Sequence, residues 1–320
     1  MHNNKFILTL IVFLVLSACR KDELPVNPPD KGSVITSSVS MSSNYKYQIY
    51  FDLSSHSNKG QHPKTDWDLG ISTAPGSNDI ILNTSKMMFV APISGLTFDQ
   101  IQDTLGFASI KKTDEPRGLS TDLACFGHQL FIVDKGMNEI GQHLGFFKLE
   151  ILAQTQSAVT LKCANLNGTS EETKTIQKNS NYNYAFINWE NSINEVMIEP
   201  AKNEWDLIFT QYTHLFHEPE FTPYLVTGCL LNSTATFAIE VSNKSFESID
   251  LSYAESQLYN YKRDAIGYDW KEFNGTLYTV NSEKVFIIKD QEGYYYKLRF
   301  IDYYDELGIK GAPQFEHQRL

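Results

Sequence analysis

The most regular patterning in the chain lies between Glu283 and Phe315. Val285 to Ile288 is a β-branched and aromatic run, Asp290-Gln291-Glu292-Gly293 has turn chemistry, and Tyr296, Leu298 and Phe300 then alternate with Lys297 and Arg299. The pattern predicts a β-hairpin with one apolar face and one charged face turned to water. A looser version occurs earlier, where Leu130-Phe131-Ile132-Val133 is followed by a Gly-containing connection and by Phe147, Leu149 and Ile151 in alternation.

Other stretches recur in the same order. Asn44-Tyr45-Lys46-Tyr47-Gln48-Ile49-Tyr50-Phe51 is answered by Asn181-Tyr182-Asn183-Tyr184-Ala185-Phe186, and Thr65-Asp66-Trp67-Asp68-Leu69 by Asn203-Glu204-Trp205-Asp206-Leu207. Thr97-Phe98-Asp99-Gln100-Ile101 is matched by Ser245-Phe246-Glu247-Ser248-Ile249. Four landmarks in one order, with the spacing stepping once by about ten residues, predict one β-rich unit written twice. Period-two alternation puts Trp67, Leu69 and Ile71 on one face and Asp68 on the other, and likewise Trp205, Leu207 and Phe209 against Asp206. Those aspartates are expected to hold a turn or a backbone N–H rather than to catalyse. The Phe98 segment reads as one or two helical turns capped by Thr97 and stopped by Gly106. Turn residues punctuate short apolar runs throughout, so the fold class is mainly β, an antiparallel β-sheet protein.

Composition narrows the partners. A chain of 320 residues that is 42% hydrophobic and 13% aromatic can bury a sizeable core. Its net charge of -11 argues against a nucleic-acid or anionic-membrane surface, because such binding needs Lys and Arg to neutralise phosphates.

The N-terminus carries a more specific signal. Lys5 precedes an apolar run from Phe6 to Leu16, too short to span a bilayer, and Leu16-Ser17-Ala18-Cys19 follows. This resembles a bacterial lipoprotein signal peptide, and the resemblance implies lipid attachment at Cys19. Arg20-Lys21-Asp22-Glu23 resembles the export signal of surface lipoproteins. The expected organisation is a signal peptide over 1–18, a disordered Pro- and Ser-rich tether over 19–43, unit 1 over 44–178 and unit 2 over 179–320. The expected location is the cell outer membrane, lipid-anchored and surface-exposed. With Cys19 acylated, Cys125, Cys163 and Cys229 allow at most one disulfide.

The Trp-Asp strand, the short Phe-containing turn and the terminal Tyr-rich hairpin resemble the HmuY family, haem-binding lipoproteins of Bacteroidetes. The residues that carry this are Glu204-Trp205-Asp206-Leu207, Ser245-Phe246-Glu247, and Lys284 to Ile288 through Lys297 to Tyr303, with Lys310-Gly311 and Phe315-Glu316. The likeness is taken to cover the family's full extent within residues 181–320, with the N-terminal half a diverged second copy. It implies an all-β fold holding haem or a related tetrapyrrole, and delivery to a TonB-dependent outer-membrane receptor.

Haem needs an apolar slot and an axial nitrogen or sulfur. The family's best-known binder has a His just ahead of its penultimate strand, whereas Trp270-Lys271-Glu272-Phe273-Asn274-Gly275 offers neither His nor Met. The candidate ligands to haem iron are therefore His214 and His217, in Tyr212-Thr213-His214-Leu215-Phe216-His217. Residues i and i+3 of a strand point to opposite faces, so both reach one iron only if the segment bends. His128, His143 and the Met87-Met88 pair are weaker candidates, the methionines reading as core. The alternative function is a surface protein- or glycan-binding module that kept the fold without the haem ligands. No hydrolase elbow, phosphate-binding Gly loop or HExxH motif appears, so no enzyme is expected; Asp302, Asp305 and Glu306 are the nearest carboxylates to the terminal hairpin.

Overall fold

The computed structural model describes residues 31–114, 116, 130–232, 234–260 and 262–320. The signal peptide, Cys19, the first part of the tether, Cys125 and His128 lie outside the described residues.

Residues 32–320 form a single compact unit built from four main antiparallel sheets. Sheet I contains β6 (Phe89–Pro92), β7 (Lys112–Thr113), β8 (Leu130–Asp134), β9 (Phe146–Gln154), β10 (Ala158–Ala164) and β11 (Glu172–Gln177). Sheet II contains β4 (Leu69–Ser72), β5 (Ile80–Leu82), β12 (Tyr184–Trp189) and β13 (Ile193–Val196). Sheet III contains β2 (Tyr47–Asp52), β3 (Ser57–Pro63), β14 (Leu207–Phe216) and β15 (Thr222–Leu231). Sheet IV runs β1 (Ile35–Ser38), β21 (Lys310–Arg319), β20 (Tyr295–Tyr304), β19 (Val285–Lys289) and β16 (Phe237–Val241). A two-stranded ribbon of β17 (Lys271–Phe273) and β18 (Tyr278–Val280) completes the set.

Alternation decides how these sheets stack. Leu69, Ile71, Phe147 and Leu149 share a core between sheets I and II. Tyr50, Phe186 and Ile208 share one between sheets II and III, and Ile49, Phe51, Leu207, Phe209, Phe286 and Phe300 share one between sheets III and IV. Successive residues of β2 and β14 thus serve two different cores, because both faces of sheet III are covered.

The boundary expected at 178/179 runs through the sheets. β12 pairs with β4, β14 with β2, and β1 with β21, so neither half closes its sheets alone. β1 lies inside the stretch expected as tether; Val39 and Met41 just beyond it are buried in the core, so apolar positions spaced along a Ser-rich segment outweigh its composition.

Bonding in the two halves matches residue by residue. Asn83 donates to the carbonyls of Lys64 and Trp67, and Asn232 to those of Lys202 and Trp205. Lys148 Nζ donates to Phe98 and Ile101 carbonyls, and Lys297 Nζ to those of Phe246 and Ile249.

Three local expectations are corrected. The face of the terminal hairpin expected to be wet is covered at Lys297, which is buried beneath the Phe246 turn, while Arg299 on the same face stays partly exposed. The Lys297 ammonium is tolerated there because two otherwise orphaned carbonyls and an aromatic face receive it. Gly106 does not stop a turn: Phe98–Gln100 is one 3₁₀ turn with a Thr97–Gln100 capping box, and Gly106, at φ 79°, instead precedes the short helix Phe107–Ile110. Trp67 leaves the face of Leu69 and Ile71, and Trp205 that of Leu207 and Phe209; both join the core between sheets II and III, because each precedes its strand and escapes the strand's period.

Candidate functional site

The β14–β15 hairpin carries the histidines. Only Leu207, Ile208 and Phe209 of β14 pair with β2, while the hairpin itself stays in register to Phe216 and Thr222, so its far half projects past its neighbour. His214 faces Tyr224 across the hairpin. Period two puts Tyr212, His214 and Phe216 on one side of β14.

A third element reaches the same side. Cys229 and Gly267 exchange backbone hydrogen bonds at 2.9 and 3.1 Å, which seats residues 267–271 against the edge of β15. Gly228 permits this approach, because a Cβ there would stand 2.3 Å from the Gly267 carbonyl oxygen. Tyr268 is thereby brought to His214, with ring centroids 5.0 Å apart. Phe216 lies 4.7 Å from His214 and 6.4 Å from Tyr268. The half-buried His214 imidazole is bordered by two aromatic rings, and the exposed Phe221 (61%) and Tyr224 (58%) extend the apolar rim to the hairpin tip.

His217 is placed differently. It is exposed just beyond the end of β14, and its ring meets Phe221 at 5.7 Å. The structure brings His214, Phe216, Tyr224 and Tyr268 together and leaves His217 on the tip loop.

Lys271 braces this arrangement. Its Nζ donates to the carbonyls of Thr227 and Tyr268, and it lies over the Trp270 and Tyr303 rings at 4.2 and 4.8 Å. Burial without a carboxylate in contact holds its pKa down to about 7. Trp270, just ahead of β17, is stacked on Phe300 at 3.7 Å and has no exposed surface, so it serves the core.

The remaining candidates have ordinary duties. Met88 is core, Met87 caps a 3₁₀ turn, and His143 bonds Asp134 at 2.7 Å on the surface. Asp302 accepts from the backbone of Tyr303 and Tyr304, and Asp305 from that of Leu307 and Ile309. Cys163 and Cys229 are free and buried. No group of three or more His, Cys, Asp or Glu stands at metal-binding spacing among the described residues. A separate half-open pocket of about 280 Å³, at the small end for a ligand site, is lined by Tyr184, Phe186, Met197 and Glu199, and burial pushes the Glu199 carboxyl up to about 7.

The chemistry of this donor set is compatible with a tetrapyrrole. His214 would offer an imidazole nitrogen to the iron, and Phe216, Tyr224 and Tyr268 would offer aromatic surface to the macrocycle. Tyr224 and Tyr268 were not legible from sequence, since each arrives through pairing with a distant strand.

A family model described as HmuY protein matches residues 44–317, running through both halves rather than the C-terminal half alone. Among solved structures, apo PinO from Porphyromonas gingivitis is 12% identical with a TM-score of 0.29, covering 90% of this chain and 97% of that one. The apo HmuY analog of Tannerella forsythia is 11% identical with a TM-score of 0.34, covering 91% and 98%. No curated protein matches the chain.

Proposed function

Because the chain belongs to the HmuY family over residues 44–317, we propose that it binds haem or a related tetrapyrrole through His214 and passes it to a TonB-dependent outer-membrane receptor. The observation that carries this reading is the His214 imidazole set between Phe216 and Tyr268 at 4.7 and 5.0 Å on a projecting hairpin. When bound, haem would supply the iron; the chain supplies one nitrogen and a hydrophobic rim. In the same reading Cys19 carries the lipid, residues 20–34 hold the body off the outer membrane at the cell surface, and the protein binds rather than catalyses. The matched bonding in the two halves supports an origin by duplication in which the copies exchanged strands.

Hemin titration of the purified protein tests the ligand. The expected result is a sharpened Soret band that shifts on reduction, lost in His214→Ala and retained in His217→Ala. A spectrum identical to free hemin, or one indifferent to His214, overturns the reading.

The exposed aromatic tip favours a second one. Phe221 and Tyr224 stand clear of the core, as contact residues of a protein- or glycan-binding module do. A stoichiometric partner recovered from outer membranes by the wild type and lost with Phe221→Ser, together with silence toward hemin, would select it.

A further inference from the structure

His56 and His317 come from distant parts of the chain and meet beside β1. His56 sits in the turn between β2 and β3 with a left-handed backbone (φ 56°), in a turn held by Asp52, which accepts hydrogen bonds from Ser54 and Ser55. His317, on β21, has no exposed surface and lies against the rings of Phe51 and Phe315 at 5.8 and 5.6 Å. The two imidazole centroids are 5.0 Å apart with their planes at 47°.

The nitrogens of His317 are not equivalent. Nε2 lies 3.1 Å from Ser37 Oγ, and Nδ1 is buried without a hydrogen-bond partner. An orphaned buried N–H is rarer in proteins than an orphaned acceptor, so the favoured tautomer places the proton on Nε2, donated to Ser37, and leaves a bare lone pair on Nδ1. A metal-binding histidine is prepared in the same way, with its second nitrogen donating to an oxygen that fixes tautomer and ring.

We propose that His56 and His317 bind a divalent transition cation of the Zn²⁺ or Cu²⁺ class. A cation about 2.0–2.1 Å from an imidazole nitrogen stands about 3 Å from that ring's centroid, and two such rings at a tetrahedral angle place their centroids about 5 Å apart. Imidazole selects these borderline cations over Ca²⁺ or Mg²⁺, which take oxygen. The bound cation staples the β2–β3 turn to β21 and, through Ser37, to β1, the strand that lies inside the stretch expected as tether.

The full chain titrated with ZnCl₂ and CuCl₂ by calorimetry, with melting curves and Cu²⁺ electron paramagnetic resonance, tests the site. The expected result is one strong equivalent, coupling to imidazole nitrogens and a raised Tm. His56→Ala, exposed and outside the core, is expected to weaken that equivalent about tenfold to a hundredfold with the metal-free Tm unchanged, and His217→Ala to leave it intact. Ser37→Ala should weaken it in the same direction. Metal binding in His56→Ala equal to that of the wild type, or no strong equivalent in the wild type, overturns the proposal.

Discussion

Asp68 and Asp206 accept the same kind of backbone hydrogen bond in different electrostatic surroundings. Asp68 Oδ2 accepts from the Trp189 N–H at 2.7 Å, and Asp206 Oδ2 from the Leu53 N–H at 2.9 Å, so each carboxylate ties the start of one strand to the end of the strand beside it. Asp68 is also paired with the fully buried Lys86 and lies 3.5 Å from Lys135. Asp206 has no ion-pair partner among the described residues, and burial pushes its pKa up to about 7.

Substitution should therefore separate the two. Asp68→Asn strands the Lys86 ammonium in the core and should cost about 3–5 kcal/mol. Asp206 holds its proton more tightly folded than unfolded, so its contribution is greatest below about pH 4 and is lost as pH rises toward 7. Asp206→Asn keeps an acceptor for Leu53 and is expected to stabilise the protein above pH 7 while flattening this dependence. Urea unfolding of both variants between pH 4 and 8 checks the contrast; equal losses for the two at pH 8 would contradict it.

His317 titrates with the opposite slope. Its pKa is held down to about 4 in the fold, against about 6.5 unfolded, so the unfolded chain binds more protons in that window. Stability should be intact above pH 6.5 and fall by about 3 kcal/mol on acidification to pH 4. Unfolding free energies of the wild type and His317→Gln, compared across this range, should converge toward low pH. A constant difference would remove His317 as the source.

Lys148 and Lys297 cover two carbonyls each beneath the Phe98 and Phe246 turns. Lys297→Met preserves the length of the side chain and abandons the carbonyls of Phe246 and Ile249. The expected loss is about 1–3 kcal/mol, with Lys148→Met losing a similar amount on the other outer sheet. Denaturant midpoints decide the matter, and unchanged midpoints would mean that water replaces the ammonium without cost.

Gly228 links the fold to the candidate site. An added methyl would collide with the Gly267 carbonyl, which is backbone and cannot swing aside. Gly228→Ala should push residues 267–271 off the edge of β15, carry Tyr268 away from His214, and weaken hemin binding more than Tyr224→Ala does. Hemin affinities of the two variants, read beside their melting temperatures, test this order. Tyr268→Leu should cost a smaller factor, about two- to tenfold, from the lost ring contact alone.

The local code was readable where each residue's neighbours in sequence decide its state. Period-two alternation located β8, β9, β19 and β20, Asp290 and Gly293 marked the turn between the last two, and the order of short motifs pointed to the HmuY family. Alternation of Leu207 and Phe209 also marked the first part of β14, and Phe216 stands beside His214 in the sequence itself. The tertiary structure decided what covers each face and which strands lie side by side. Lys297 reads as solvent-facing until the Phe246 turn folds over it, and Ser37 reads as tether until β21 offers it an edge. Tyr268 reaches His214, and His56 reaches His317, only because non-local pairing brings distant segments together, and such pairing leaves no period in the sequence of either partner.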